Sequence, residues 1–151
     1  MTKKIISTLF AAALAAAAFL LAAYPVTAAT EITEEVSILN PRQNMRGPGY
    51  NWDNIHDTLT LDGLKINTDD DYGLKLPDGA TVVLKGRNEI TAAKAALYVG
   101  GTVIIKGSGT LVLTGGEYGI FCNSSDKRSR LSLIDGEYLV SAGKSGMYSA
   151  I

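Results

Sequence analysis

Between Thr58 and Ile151 the chain repeats itself four times. Each repeat begins with an alternation of apolar and polar residues that ends in a glycine, and a shared tripeptide follows about ten residues later. The opening segments are Thr58–Gly63, Thr81–Gly86, Thr102–Gly107 and Leu131–Gly136, and the tripeptides are Tyr72–Leu74, Ala95–Leu97, Tyr118–Ile120 and Ser145–Met147. The repeat length is 21 to 29 residues, most often 23.

A repeat of this length with a two-residue alternation predicts a β-solenoid, in which every repeat forms one coil. A helical repeat would instead space its apolar residues three and four positions apart. We therefore predict an all-β fold, a single-stranded parallel β-helix of about four coils with three short strands in each coil. The predicted coils are residues 58–79, 80–101, 102–129 and 130–151.

The alternation also predicts which side chains point inward, and aligned coils should place them in continuous apolar stacks. The predicted stacks are Leu59, Val82, Val103 and Leu131, beside Leu61, Leu84, Ile105 and Leu133, in the first strand; Ile66, Ile90, Leu111 and Leu139 in the second; and Leu74, Leu97, Ile120 and Met147 in the third. The fourth repeat has an extra residue before Gly136, which predicts a bulge or a slipped register there.

Residues 1–28 have the pattern of a secretory signal peptide. Lys3 and Lys4 precede an apolar run that ends before Pro25, and small residues lead up to Ala28. A retained membrane anchor is the alternative interpretation, although the run is mostly alanine. We predict cleavage near Ala28 or Ala29, a secreted or cell-surface protein, and no membrane contact after cleavage.

The chain that remains, about 123 residues, suits one domain. Of the 14 Lys and Arg residues, the loss of Lys3 and Lys4 leaves 12 against 15 Asp and Glu, a balance that predicts no nucleic-acid binding. The only cysteine, Cys122, excludes an intramolecular disulfide framework.

Residues 29–57 are predicted to cap the N-terminal end of the β-helix, which residues 58–151 form. One strand is predicted from Glu31 to Leu39, and Trp52 is expected to seal the first coil rather than to bind a ligand. The sequence stops at Ile151 inside a predicted strand. We therefore expect either a fragment of a longer β-helix or self-association through an open C-terminal coil.

A row of outward-facing side chains is predicted on the third strand. Lys75, Tyr98, Phe121 and Tyr148 are 23, 23 and 27 residues apart, so they should lie beside one another roughly 4.8 Å apart. Exposed aromatic rings in a row can stack against sugar rings, which predicts a carbohydrate-binding surface. The alternative is that the rings stabilise the sheet through mutual contact.

Three adjacent carboxylates, Asp69, Asp70 and Asp71, lie in a predicted turn before Tyr72. Calcium prefers several hard oxygen ligands, so this turn is a candidate calcium site. The three residues lack the spaced pattern of a defined calcium loop, and a solvated turn is the alternative.

Residues with a catalytic pattern are few. The only histidine, His56, precedes the first coil, Arg87 is a lone basic residue in a turn, and no pair of facing carboxylates can be assigned. We predict that the protein is not an enzyme and that it has no catalytic residues.

The chain resembles the non-catalytic, pectate-lyase-like β-helix domains of secreted bacterial proteins, a carbohydrate-binding family. The resemblance rests on Tyr50–Asp53 leading into Thr58–Leu64, on Leu76–Leu84, on Ile104–Leu111 and on Tyr118–Cys122. It covers residues 50–122 and implies a right-handed parallel β-helix, bound calcium, and affinity for plant cell-wall polysaccharides such as cellulose or pectin. Members of the family are usually longer than this chain.

Three hypotheses follow. The first is a secreted, non-catalytic polysaccharide-binding β-helix that uses the Tyr98–Phe121–Tyr148 face, with calcium at Asp69–Asp71. The second is a structural or adhesive surface module whose open end stacks on another chain. The third is a fragment of a polysaccharide lyase.

Overall fold

Each repeat folds as three short strands, and the repeats stack as successive coils of a β-solenoid. The computed structural model describes residues 29–38, 42–123 and 129–150. The strands of the coils are β4 (Thr58–Asp62), β5 (Lys65–Asn67) and β6 (Tyr72–Leu76); β7 (Thr81–Lys85), β8 (Arg87–Ala92) and β9 (Ala95–Val99); β10 (Thr102–Gly107), β11 (Thr110–Gly115) and β12 (Tyr118–Asn123); and β13 (Arg130–Ile134), β14 (Glu137–Ala142) and β15 (Ser145–Ala150). The all-β fold of about four coils is confirmed.

Three sheets run along the solenoid, one for each strand of the coil. Three more strands, β1 (Val36–Ser37), β2 (Met45–Gly47) and β3 (Tyr50–Asp53), precede the first coil. The strand orders of the sheets are β13-β10-β7-β4-β3-β2, β14-β11-β8-β5 and β1-β6-β9-β12-β15. The coils pair in parallel throughout. Inward side chains from all three sheets form one apolar core, in which Leu59, Ile90 and Leu97 are at most 1% exposed.

The first strand of coil three is shifted by two residues from the alignment that the sequence motif predicts. Val82 pairs with Ile105, not with Val103, so the spacing between these coils stays at 23 residues. The turn before β10 is two residues shorter than the turn before β7. The turn after β10 is longer than the turn after β7. Because the slip is an even number of residues, Val103 and Ile105 both still point inward and both are fully buried.

The predicted stack of the second strand is wrong in its last two members. Ile66 and Ile90 align with Leu113 and Val140, whereas Leu111 aligns with Asn88 and Tyr138. Leu111 is still buried, because it too is two positions away. Leu139 is one position away from the aligned residue Val140. An offset of one residue places its side chain on the outer face of the strand, where it is 46% exposed.

The third-strand stack and the coil-four pairing of the first strand agree with the prediction. Leu97 pairs with Leu74 and Ile120, and Ile120 pairs with Met147. The extra residue of coil four, Asp135, lies beyond β13 with a positive φ of 55°, so the turn absorbs it.

Residues before the first coil cover its N-terminal side in two ways. A hairpin of β2 (Met45–Gly47) and β3 (Tyr50–Asp53) pairs antiparallel with β4. Upstream of it, β1 (Val36–Ser37) pairs in parallel with β6 and Ile32 bridges to Ile66, so the predicted single strand from Glu31 to Leu39 is replaced by a short strand and a bridge. Trp52 is fully buried in the core.

Two sequence predictions fall wholly or partly outside the described residues: the signal peptide at residues 1–28, and Leu39, the last residue of the strand predicted from Glu31. Within the described ranges, no helix is long and apolar enough to cross a membrane.

Candidate functional site

The predicted row on the third strand exists. Lys75 pairs with Tyr98, Tyr98 with Phe121, and Phe121 with Tyr148. The side chains lie on the outer face of the sheet, where Tyr98 and Phe121 are half-buried and Tyr148 is 40% exposed. The alignment that the repeat spacing predicts is therefore confirmed, while a sugar-binding role remains a prediction.

Two further rings, Tyr72 and Tyr118, join this row and were not predicted. Their position in the repeat is occupied by Ala95 in coil two. In coils one and three the third strand buries two consecutive residues, Gly73 and Leu74 or Gly119 and Ile120, and the residues before and after each pair are partly exposed. In coil two Ala95 is buried as well. The aromatic cluster, as we call it from here, consists of Tyr72, Tyr98, Tyr118, Phe121 and Tyr148.

The rings of the cluster stack along the solenoid. The planes of Tyr98 and Phe121 differ by 18° with centroids 5.9 Å apart, and those of Phe121 and Tyr148 by 22° with centroids 5.4 Å apart. Tyr118 stacks on Tyr148 at 4.8 Å, and Tyr72 meets Tyr98 edge-on at 5.0 Å. In offset stacking each ring covers part of its neighbour's face, so the solvent meets ring edges and partly covered faces.

The ammonium group of Lys75 already has partners within the protein. It lies 2.7 Å from a carboxylate oxygen of Glu35 and 4.8 Å from the ring centroid of Tyr72. This contact ties β6 to the segment before the first coil. Lys75 thus forms the N-terminal border of the cluster with its charge already neutralised.

Lys94, in the turn before β9, lies over the cluster. Its ammonium is 5.7 Å from the centroid of Tyr72 and 6.0 Å from that of Phe121. Within the described ranges no carboxylate lies at ion-pairing distance from Lys94. The electron-rich ring faces attract this cation, so the cluster holds a positive charge that no acidic side chain there neutralises.

The polar groups of the cluster are few and ordered. The side-chain amide of Asn123 donates a hydrogen bond to the hydroxyl oxygen of Tyr98 at 2.6 Å. This bond fixes the outer end of the Tyr98 ring. The surface therefore combines apolar ring edges, tyrosine hydroxyls, one amide and one ammonium on a single sheet face.

The three aspartates of the candidate calcium turn lie exposed before β6. A carboxylate oxygen of Asp70 accepts hydrogen bonds from the backbone N–H of Glu35 at 2.8 Å and from the Thr68 hydroxyl at 3.1 Å. The described residues include Asp69–Asp71. Among them, no three acidic, histidine or cysteine side chains are grouped so that they could hold a metal ion. Asp70 thus attaches the N-terminal segment to the first coil.

The other charged residues considered from the sequence form local pairs. His56 Nδ1 lies 2.7 Å from a carboxylate oxygen of Asp53, and the Arg87 guanidinium donates to Glu89 at 2.6 Å. Each pair bridges residues two or three positions apart on the surface.

No family model matches the chain, and neither a curated protein nor a solved structure matches it. The resemblance to pectate-lyase-like carbohydrate-binding domains is thus supported in its fold, a β-solenoid of stacked parallel strands. The family itself remains a prediction.

Proposed function

We propose that this protein is an exported, non-catalytic β-solenoid that binds polysaccharide through the aromatic cluster. The observation that carries the proposal is the concentration of five rings on one sheet face, with the Lys94 ammonium above two of them. Sugar rings have apolar C–H faces and polar edges, so a surface of aromatic carbon bordered by hydroxyl, amide and ammonium groups matches their chemistry.

The size of the cluster favours a polymer over a small sugar. If each ring–sugar contact removes about 50 Å² of apolar surface from water, it contributes roughly 1 kcal/mol. Three such contacts correspond to a dissociation constant near millimolar, which is weak for one ligand. A polysaccharide repeats the same contact along its length, and repeated weak contacts give useful retention.

The charge of the cluster favours an acidic polysaccharide, the pectin class, over neutral cellulose. Because no acidic side chain of the described residues pairs with Lys94, its ammonium can pair with the carboxylate of a uronic acid. Lys75 cannot do so without losing its contact to Glu35.

The proposal is tested by retention of the purified protein on insoluble polygalacturonate and on cellulose. The double variant Tyr98→Ala, Phe121→Ala should bind polygalacturonate roughly thirtyfold more weakly, from the loss of two contacts of about 1 kcal/mol each. Lys94→Gln should weaken binding to polygalacturonate and leave any binding to cellulose unchanged.

Control variants in a different sheet of the solenoid separate binding from folding. Ile104→Ala removes an exposed apolar side chain from β10, and Lys106→Gln removes a charge from the same strand. Both should be retained like the wild type, with the circular-dichroism β signal preserved in every variant. Retention of the folded double variant at wild-type strength would reject the aromatic cluster as the binding surface.

The predicted calcium site belongs to the same experiment. Repeating the retention assay with calcium and with chelator tests whether the Asp69–Asp71 turn contributes. If chelator lowers the retention of the wild type but not that of Asp69→Asn, the result would support the calcium site. Identical retention in both buffers would remove calcium from the proposal.

A second candidate, a structural surface module, is favoured by the mutual contact of the rings. Because Tyr98, Phe121 and Tyr148 already cover part of one another, the cluster also stabilises the sheet. A folded wild-type protein that binds neither polymer, with a double variant that is strongly destabilised, would favour this second function.

A further inference from the structure

A polar groove crosses the outer face of the sheet that contains β4, from the N-terminal hairpin to coil two. It has a volume of about 410 Å³, which is within the range of small-molecule sites in proteins. Its polar lining comes from the hairpin and from the first strands of coils one and two, and includes Arg46, Gly49, Asn51, Thr60, Asp62 and Lys85. The aromatic cluster belongs to a different sheet.

The strand register places the polar groups of this groove side by side. Arg46 pairs with Asn51, and Asn51 pairs with Thr60, so the three residues form a row across β2, β3 and β4. Two residues farther along β4, Asp62 pairs with Lys85 of β7. Side chains on one face of a strand recur at every second residue, so both rows lie on the same face of the sheet.

A glycine lies next to the carboxylate of the groove. The Gly49 carbonyl accepts a hydrogen bond at 2.9 Å from the Asp62 N–H, so the turn of the hairpin lies against the end of β4. Gly49 has a positive φ of 75°, and a Cβ added to it would lie 2.5 Å from the Leu64 Cα. This position therefore contributes no side chain beside Asp62.

The charged side chains of the groove have no ion-pair partner among the described residues. Asp62 and Lys85 occupy paired positions, yet neither forms an ion pair with the other or with a further side chain of those ranges. Arg46 donates through Nε to Asn51 Oδ1 at 3.3 Å, which leaves its two terminal nitrogens available to a ligand. The groove thus presents two cations and one carboxylate, all three exposed.

We propose that this groove binds a short acidic peptide with a free amino terminus. One carboxylate of the peptide comes from its acidic side chain and one from its C-terminus, and the two pair with Arg46 and Lys85. The terminal ammonium pairs with Asp62, and the side chains of Asn51 and Thr60 hydrogen-bond the peptide amides. An acidic sugar without an amino group leaves Asp62 unpaired, so the charges of the groove complement a peptide better.

The test is titration of the ¹⁵N-labelled protein with the dipeptide alanyl-glutamate, followed through the backbone amide NMR signals. Three ionic contacts of about tenfold each correspond to a dissociation constant on the order of 1 mM. We expect the signals of Asn51 and Thr60 to shift in that range, and the signal of Phe121 in the aromatic cluster to stay in place.

Substitutions in the groove should weaken this binding selectively. Arg46→Gln and Lys85→Gln should each raise the dissociation constant about tenfold, because each removes one ionic contact. Lys106→Gln is the matched control, since it removes an exposed charge from β10 of the same sheet without altering the lining of the groove. It should bind the dipeptide like the wild type.

Acetylation of the dipeptide isolates the contact of its amino group. The N-acetylated dipeptide has no ammonium and should bind the wild type about tenfold more weakly. Asp62→Asn should weaken binding of the free dipeptide by a similar factor and should not weaken binding of the acetylated one.

The wild-type titrations decide the proposal however the variants fold. An absence of shifts in the groove, equal binding of the free and acetylated dipeptides, or tighter binding of digalacturonate in the groove would each overturn it. Because the groove and the aromatic cluster lie in different sheets, a failure of polysaccharide retention would leave these outcomes unchanged.

Discussion

The side-chain oxygen of Asn88 accepts a hydrogen bond at 3.0 Å from the backbone N–H of Leu64, one coil earlier. Its amide nitrogen donates to the carbonyl oxygens of Lys85 at 3.0 Å and Thr110 at 3.3 Å. Asn88 is fully buried, so one polar side chain inside the apolar core links the backbones of coils one, two and three.

Replacement of Asn88 should therefore destabilise the protein strongly. Asn88→Ala leaves the buried Leu64 N–H and the partly buried Thr110 carbonyl without this partner, and an unsatisfied buried group costs about 1–3 kcal/mol. Urea unfolding should show a loss of several kcal/mol. The neighbouring Arg87→Ala removes only an exposed ion pair and should change stability by less than about 0.5 kcal/mol; equal urea midpoints for the two variants would contradict this role of Asn88.

Two glycines at the same repeat position should respond differently to alanine. A Cβ at Gly119 would overlap the Val140 side chain and lie 2.8 Å from the Gly146 carbonyl, so Gly119→Ala should cost about 1–3 kcal/mol. At Gly146 the nearest atom, in Val140, is 3.8 Å away, and coil two already has Ala96 at this position. Thermal unfolding of both variants tests this; a Tm for Gly119→Ala that matches that of Gly146→Ala would show that the core adjusts.

The single thiol should report on the integrity of the solenoid. Cys122 is 5% exposed, and burial raises its pKa because the apolar surroundings disfavour the thiolate. Since the thiolate is the reactive form, Cys122 should react with a thiol reagent much more slowly in the native protein than in urea. Labelling at the same rate in both conditions would show that coil three opens readily.

The turn after β3 should weaken in acid. Asp53 accepts hydrogen bonds from the His56 ring and from the Ile55 N–H, and these contacts hold its pKa below the ordinary value of 3.8. The stabilisation is present above pH 3.8 and is lost as the pH falls through the lower folded pKa. Asp53→Asn should reduce the loss of Tm below pH 3.8, whereas Asp69→Asn, at an exposed turn, serves as the control; identical pH profiles for wild type and Asp53→Asn would refute this contribution.

Much of the architecture could be predicted from the sequence because a repeat carries its own alignment. Period-two alternation determines which side of a strand is apolar, and the recurring tripeptide places Leu74, Leu97 and Ile120 above one another. The row from Lys75 to Tyr148 follows from the same spacing.

The aromatic cluster could be predicted only in part. Strict alternation assigns Tyr72 and Tyr118 to the same side as Leu74 and Ile120, which is the core. The sequence signal that could have found them is the small central residue of the tripeptide, Gly73 or Gly119, which occupies the first of two consecutive buried positions. Strict alternation does not predict two buried residues in succession.

By itself the sequence determined the fold class, the strand count of each coil and the outward row, because these depend on local alternation and on spacing. The tertiary structure decided the register of β10, the exposure of Leu139 and the assembly of the cluster around Lys94. These depend on how turns before and after a strand share residues, and on backbone hydrogen bonds between coils 23 residues apart. A local motif does not specify the β10 register, since a slip of two residues leaves every side chain on the same face. The face of Leu139 depends on an offset of one residue between coils, which the spacing of the motifs does not show.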